Sequence, residues 1–168
     1  ANWDAQHADE LDMGNPQTLI DFVTWAMQNY PADKYALILS DHGMGWPGGW
    51  SDPDPGGSSS SRAPLASRLG RNLYLMELDK ALKQSRQITG IDKFEIVGMD
   101  ACLMAQLEVM AALQPYAHYA VVSEETEPSL GWAYASFLGD LVSNPDMSGA
   151  QLSQLIVKSY IEDDQRIA

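Results

Sequence analysis

The run FEIVGMDAC (Phe94–Cys102) decides the fold, because it joins an apolar segment of strand length to an acid and to the only cysteine of the chain. A second run, YALILSDHG (Tyr35–Gly43), is built in a similar way and ends on a His-Gly pair. Continuous apolar runs of this kind predict strands that are covered on both faces, as in a parallel sheet between helices. One strand is followed by a cysteine and the other by a histidine, and this arrangement is typical of hydrolases with a cysteine nucleophile and a histidine acid and base.

Helical patterns alternate with these strands along the chain. Asn15 and Pro16 start the first helix, since Asn caps helices and Pro suits their first position. A third strand is predicted at Tyr119–Ser123, and further helices are predicted over Leu73–Ser85, Leu103–Leu113 and Tyr134–Val142. Ser148 and Gln151 form a capping-box pattern that starts the last helix, which extends to about Ile161. This alternation predicts an α/β fold, a three-layer α/β/α sandwich with a mainly parallel sheet. Sites in such sheets lie beyond the carboxyl ends of the strands, so we expect the histidine and the cysteine at one edge.

The length of 168 residues fits a single domain, which we assign to residues 1–168. Three strands make a thin sheet, and the chain begins without an initiator Met and without the basic-then-apolar pattern of a signal peptide. We therefore expect a fragment of a longer protein that supplies further strands. The segment Ser40–Arg71 is rich in Gly, Pro and Ser, and it predicts a long loop with a flexible processing region at 51–71.

Composition and charge exclude several classes of partner. Hydrophobic residues make up 45% of the chain and charged residues 20%, as in globular proteins. The formal charge of -13 and the pI of about 4.3 disfavour nucleic acid and anionic membranes, since phosphates would be repelled. The same charge favours cationic partners, although it serves solubility equally well. No apolar stretch is long enough to span a membrane, and one cysteine allows neither an internal disulfide nor a CxxC metal site.

Cys102 is the candidate nucleophile, because a thiolate attacks carbonyl carbon readily. Its place at the start of a predicted helix would favour the thiolate form. The alternative is a buried structural cysteine, which is a common role for a free cysteine.

His42 is the candidate acid and base, and the alternative is a loop histidine bonded to the nearby Asp41. Gly43 lacks a Cβ and lets a substrate approach the backbone. Its N–H and that of the cysteine would bind the developing oxyanion. His7 and His118 have no comparable surroundings, and we predict structural roles for both.

Three blocks of the sequence resemble one family. YPADKYALILSDHGMGW (Tyr30–Trp46), GMDACLMAQLEVM (Gly98–Met110) and VVSEETEPSLGWAY (Val121–Tyr134) are similar in content, order and spacing to the clostripain family, within the caspase-like clan of cysteine peptidases. The resemblance extends from Leu11 to Val142. It implies a caspase-like fold, peptide or protein substrates with basic residues, and a secreted or cell-envelope location.

The resemblance also implies roles for single residues. His42 and Cys102 would form a catalytic dyad with no obligatory third member. Asp100 would line the S1 pocket and select Arg or Lys at P1, and it would also suit a helix N-cap. Glu124 and Glu125 would add negative potential to that pocket, with a solvated loop as the alternative.

Members of this family mature by cutting themselves in the loop after the His-Gly strand, which implies a second chain from the same precursor. Arg62 is the first candidate for this cut, and an uncut linker is the alternative. We expect the first strands of the family, which would precede Leu11, to be absent from this chain. The chemistry requires no cofactor. Some relatives depend on calcium, but DPDPGG (Asp52–Gly57) lacks the spacing of an EF-hand loop, so we leave calcium unassigned and predict no metal site.

Two rival functions use the same residues. One is a catalytically inactive peptide-binding module with the same fold, although the presence of both His42 and Cys102 argues against it. The other is a metal-dependent hydrolase that uses Asp41, His42 and Asp100.

Overall fold

The computed structural model describes Trp3 and residues 11–52 and 71–163. His7 and the candidate cleavage site Arg62 lie outside the described residues. In chain order the elements are α1 (Pro16–Asn29), β1 (Ala36–Ser40), β2 (Gly48–Asp52), β3 (Arg71–Tyr74), α2 (Leu75–Thr89), β4 (Phe94–Asp100), α3 (Leu107–Leu113), β5 (Ala117–Val121), α4 (Tyr134–Ser143) and α5 (Gly149–Glu162).

Strands β1, β4 and β5 form a parallel sheet with β4 in the centre. All of β4 is buried except the half-buried Glu95, as expected for a strand covered on both faces. Val97 and Met99 belong to a core formed with α1, α2 and α3, whereas Ile96 belongs to a second core formed with α4 and α5. The predicted three-layer α/β/α sandwich with a parallel sheet is therefore confirmed.

A second sheet begins in the segment Ser40–Arg71, which was predicted as one long loop. Its second strand, β3, includes Leu73 and Tyr74, which were predicted as the start of a helix. Strands β2 and β3 pair antiparallel, with a register shift between Gly49 and Ser51. Neither strand can be predicted from the sequence, because GGWSD and RNLY carry neither an apolar run nor a clear alternation. Strand β5 begins at Ala117 and ends at Val121, earlier than the predicted segment.

Helix starts follow the predicted caps at both ends of the chain. Asn15 Oδ1 accepts a hydrogen bond from the Gln17 N–H at 3.0 Å, and Ser148 forms a capping box with Gln151. Two other helices begin later than predicted: α2 at Leu75 instead of Leu73, and α3 at Leu107 instead of Leu103. Within the described ranges, no helix has the length and apolar character needed to cross a membrane.

The loops after β1 and β4 pack directly against each other. The register pairs Ser40 with Asp100, and the Asp41 N–H donates a hydrogen bond to the Asp100 carbonyl at 3.3 Å. A Cβ built on Gly43 would collide with the Cys102 carbonyl oxygen and lie 3.0 Å from the Cys102 nitrogen. Glycine is therefore the residue that lets the two backbones meet.

We expect Gly43→Ala to destabilise the fold, because the added methyl group meets backbone rather than a movable side chain. Overpacking of this kind costs about 1–3 kcal/mol. Gly139→Ala is the matched control, since Gly139 lies inside α4 and an added Cβ has nothing within 4 Å. This control substitution should stabilise the helix by about 0.5–1 kcal/mol. Urea unfolding measures both variants, and equal free energies of unfolding would contradict the contact between the loops.

Candidate active site

His42 and Cys102 lie at the same edge of the parallel sheet. Ser40 at the end of β1 pairs with Asp100 at the end of β4. His42 lies two residues after Ser40, and Cys102 lies two residues after Asp100. The contact of Gly43 with the Cys102 backbone holds the two loops together. The imidazole is exposed and the thiol is half-buried, so a substrate at this edge would have access to both groups.

Cys102 lies in a turn and not at the start of a helix. The turn follows β4 directly, and α3 begins only at Leu107, with Gln106 as its N-cap. The expectation that a helix N-terminus favours the thiolate is therefore wrong, and so is the alternative role of Asp100 as a helix cap. Leu103, next to the cysteine, has a φ of 62°, a left-handed conformation that is strained for a residue with a side chain.

The segment after β5 runs along this turn. The Leu103 N–H donates to the Glu125 carbonyl at 3.0 Å. Further along, the Glu127 N–H donates to Cys102 Sγ at 3.1 Å, and the thiol donates to the Glu127 carbonyl at 3.7 Å. Among the described residues, no hydrogen bond joins the His42 ring to the Cys102 sulfur. The thiol is held by the backbone of Glu127 instead.

Asp100 is buried and already hydrogen-bonded. Asp100 is only 5% exposed to solvent. Its Oδ2 accepts hydrogen bonds from the Trp132 N–H at 3.1 Å, the Tyr134 hydroxyl at 2.9 Å and the Ser40 hydroxyl at 3.4 Å. A Cβ on Gly131 would lie 2.6 Å from Oδ2, so the segment 131–134 covers the carboxylate. Burial, and then the hydrogen bond to Asp100, raises the pKa of Tyr134, which keeps its hydroxyl protonated as a donor.

A second acid, Glu127, lies beside Asp100. Its Oε2 accepts the Trp132 indole N–H at 3.1 Å, and the backbone N–H of the same Trp132 donates to Asp100 Oδ2 at 3.1 Å, so one residue binds both carboxyl groups. Burial, and then the hydrogen bond with Asp100, raises the pKa of Glu127 to about 7. Glu124 and Glu125 are exposed instead. The acid that accompanies Asp100 is therefore Glu127, which the sequence analysis missed.

Gln106 joins the histidine loop to the cysteine loop through its side chain. Its Oε1 accepts the Trp46 N–H at 2.9 Å, and its amide group packs on Gly45, which has a φ of +75°. Any side chain at Gly45 would be strained and would displace this amide. The cross-link adds a second contact between the two loops beside that of Gly43.

Ligands for a metal ion do not converge in the part of the chain that the structure describes. No group of three or more His, Cys, Asp or Glu side chains there could hold a metal ion. Asp41, His42 and Asp100, the residues of the rival metal-dependent hydrolase, do not form such a group.

Comparisons with known proteins identify relatives of this chain. The sequence model of the clostripain family matches residues 2–167. Clostripain from Hathewaya histolytica is 30% identical over 119 residues, which cover 63% of this chain and 19% of that protein. A secreted cysteine protease from Bacteroides thetaiotaomicron, solved with an irreversible peptide inhibitor, has a TM-score of 0.63 at 22% identity, over 87% of this chain and 36% of its own. An inactive protease zymogen from Parabacteroides distasonis has a TM-score of 0.60 at 23% identity, over 91% and 37% of the two chains.

The matched relatives are much longer than this chain. It spans 19% of clostripain and 36% and 37% of the two solved structures. At these identities the structural likeness shows the fold, which is caspase-like, while the family match covers nearly all of the sequence. The chain belongs to the clostripain family of cysteine peptidases.

Proposed function

We propose that the protein is a cysteine endopeptidase that cleaves peptide bonds after Arg and Lys. The observation that carries the proposal is the meeting of His42, Cys102 and the buried Asp100 at one edge of the sheet. Membership of the clostripain family supports a peptidase, and the related protease solved with a peptide inhibitor supports peptide substrates. The related proteases described as secreted support a secreted or cell-envelope location.

In the proposed mechanism, Cys102 attacks the scissile carbonyl as a thiolate and forms an acyl-enzyme. His42 protonates the departing amine, and water then releases the acyl group. Because the imidazole is exposed, rotation of its side chain can bring it to the leaving group. Substrate binding must also free the thiol from the Glu127 backbone. All of these steps use side chains and amides of the chain itself and need no cofactor.

The Gly43 and Cys102 amides are the proposed donors to the oxyanion. Gly43 forms an isolated antiparallel bridge with Gly49, and backbone hydrogen bonds of 3.0 and 2.8 Å flank this pair. In such a non-hydrogen-bonded pair, the N–H group points away from the partner strand. The Gly43 N–H is therefore directed away from β2 and is suited to a substrate oxygen.

Asp100 is the proposed source of the preference for a basic P1 side chain. A carboxylate about 4 Å from a guanidinium contributes roughly 4 kcal/mol before desolvation, at an effective dielectric of about 20. Because each ~1.4 kcal/mol changes affinity tenfold, one acid would supply up to about a thousandfold preference. Glu124 and Glu125 are exposed, which favours the solvated-loop interpretation over a role inside the pocket.

Replacing either member of the dyad should abolish turnover. We expect Cys102→Ala and His42→Gln in the full-length protein to lower kcat for an Arg-amide fluorogenic peptide by at least about a thousandfold, because nucleophile and acid act as one unit. His118→Gln is the matched control, since His118 is exposed on β5. Unreduced turnover by the Cys102→Ala protein would rule out the mechanism.

Selectivity should depend on Asp100. We expect Asp100→Asn, which keeps the size and the acceptor oxygen, to lower kcat/KM for an Arg substrate by about a hundredfold or more relative to an uncharged P1 analogue. Glu124→Gln removes one negative charge from the exposed loop nearby and should leave this ratio within about twofold. If the Asp100→Asn protein keeps its preference for Arg, the specificity belongs to another acid.

We further propose that the protein cuts its own chain after Arg62, which leaves two chains from one precursor. The zymogen among the related structures supports a precursor form in the family. Mass spectrometry of the purified full-length protein should show a break after Arg62 that is absent from the Cys102→Ala protein. A break that persists in the cysteine variant would mean that another protease makes the cut.

A further inference from the structure

We propose that Glu127 and Asp100 share one proton in the substrate-free protein, and that a cationic P1 side chain binds by displacing this proton into solvent. The inference rests on the proposed specificity for basic residues and deepens it. It makes Glu127 a specificity-determining residue that couples substrate binding to pH.

The two carboxyl groups form one unit. Trp132 donates to both, from its backbone N–H to Asp100 Oδ2 and from its indole N–H to Glu127 Oε2, each at 3.1 Å. This bridge holds the second acid against the first. Two carboxylates in such close contact cannot both stay ionised at low cost, so one proton between them is the favoured state.

The surrounding groups decide which acid keeps the proton. Asp100 accepts hydrogen bonds from the hydroxyls of Tyr134 and Ser40 as well as from Trp132. Glu127 has the indole as a donor and the negative Asp100 as a neighbour, and burial raises its pKa to about 7. The proton therefore resides mainly on Glu127.

No positive charge compensates the pair in the described part of the chain. The groups that face the two acids are the Tyr134 and Ser40 hydroxyls, the two N–H groups of Trp132 and, through the Glu127 backbone, the Cys102 thiol. All of these are neutral as hydrogen-bond donors. A guanidinium or ammonium group would supply the missing charge and remove the reason for Glu127 to stay protonated.

The pH dependence follows from this exchange. In the substrate-free protein, Glu127 loses its proton as pH rises through about 7. A bound cation beside its carboxylate would keep Glu127 ionised at lower pH as well. Binding below this pH therefore releases up to about one proton per cation, and affinity rises by up to about tenfold per pH unit. Above this pH the pocket is already doubly negative, so both the proton release and the pH dependence disappear.

The test measures binding of agmatine, an Arg-like cation, to full-length Cys102→Ala protein, which cannot turn over and has no thiol to titrate. Calorimetry in two buffers with different ionisation enthalpies counts the protons released. We expect close to one proton at about pH 6, almost none at about pH 8, and an affinity about tenfold higher at the higher pH. Binding without proton release at the lower pH would overturn the exchange while leaving the basic pocket intact.

Glu127→Gln, added to the same protein, keeps the side-chain size and provides an amide donor to Asp100 while removing the titration. The variant should bind agmatine with nearly equal affinity at both pH values and release no proton from this site. Any proton release from other groups would remain in the variant and is subtracted in this way. Glu124→Gln should behave like the parent. A Glu127→Gln protein that still shows the full pH dependence would refute the proposal, and a parent that binds no agmatine at either pH would overturn the basic pocket itself.

Discussion

Backbone packing between the loops that follow β1 and β4 is the contact on which the rest of the account depends. The parallel register sets Ser40 beside Asp100, and Gly43 then lies against the Cys102 backbone, where a Cβ would collide. A histidine and a cysteine that are far apart in sequence thereby reach one edge of the sheet. The proposed dyad, the oxyanion donors and the acidic pocket all require this one close approach.

Glu127 connects the nucleophile to the proposed specificity pocket. Its backbone holds the Cys102 thiol, while its carboxyl lies against Asp100. A substrate side chain that pairs with these acids would therefore act on the same residue that holds the sulfur. Asp100 is enclosed beneath segment 131–134, so a substrate side chain would reach its carboxylate only if this segment moved.

Much of the fold could be predicted from the sequence, because the strands β1 and β4 contain apolar runs and the helix caps at Asn15 and Ser148 are strong local signals. The two strands β2 and β3 could not, since their short polar sequences pair only through tertiary contact. The edge carrying His42 and Cys102 follows from strand topology alone. Strand topology does not identify Glu127 among the three glutamates of the run EETE, which are equivalent in the sequence. Hydrogen bonds between the backbone and the cysteine turn determine which of them faces Asp100.

A crystal structure of the full-length protein after reaction with a peptidyl acyloxymethyl ketone carrying Arg at P1 would test the central claim most directly. We expect a thioether at Cys102, the inhibitor oxygen near the Gly43 N–H, and the guanidinium against both Asp100 and Glu127. A guanidinium bound elsewhere, such as at Glu124 or Glu125, or a thiol left unmodified against the Glu127 backbone, would contradict it.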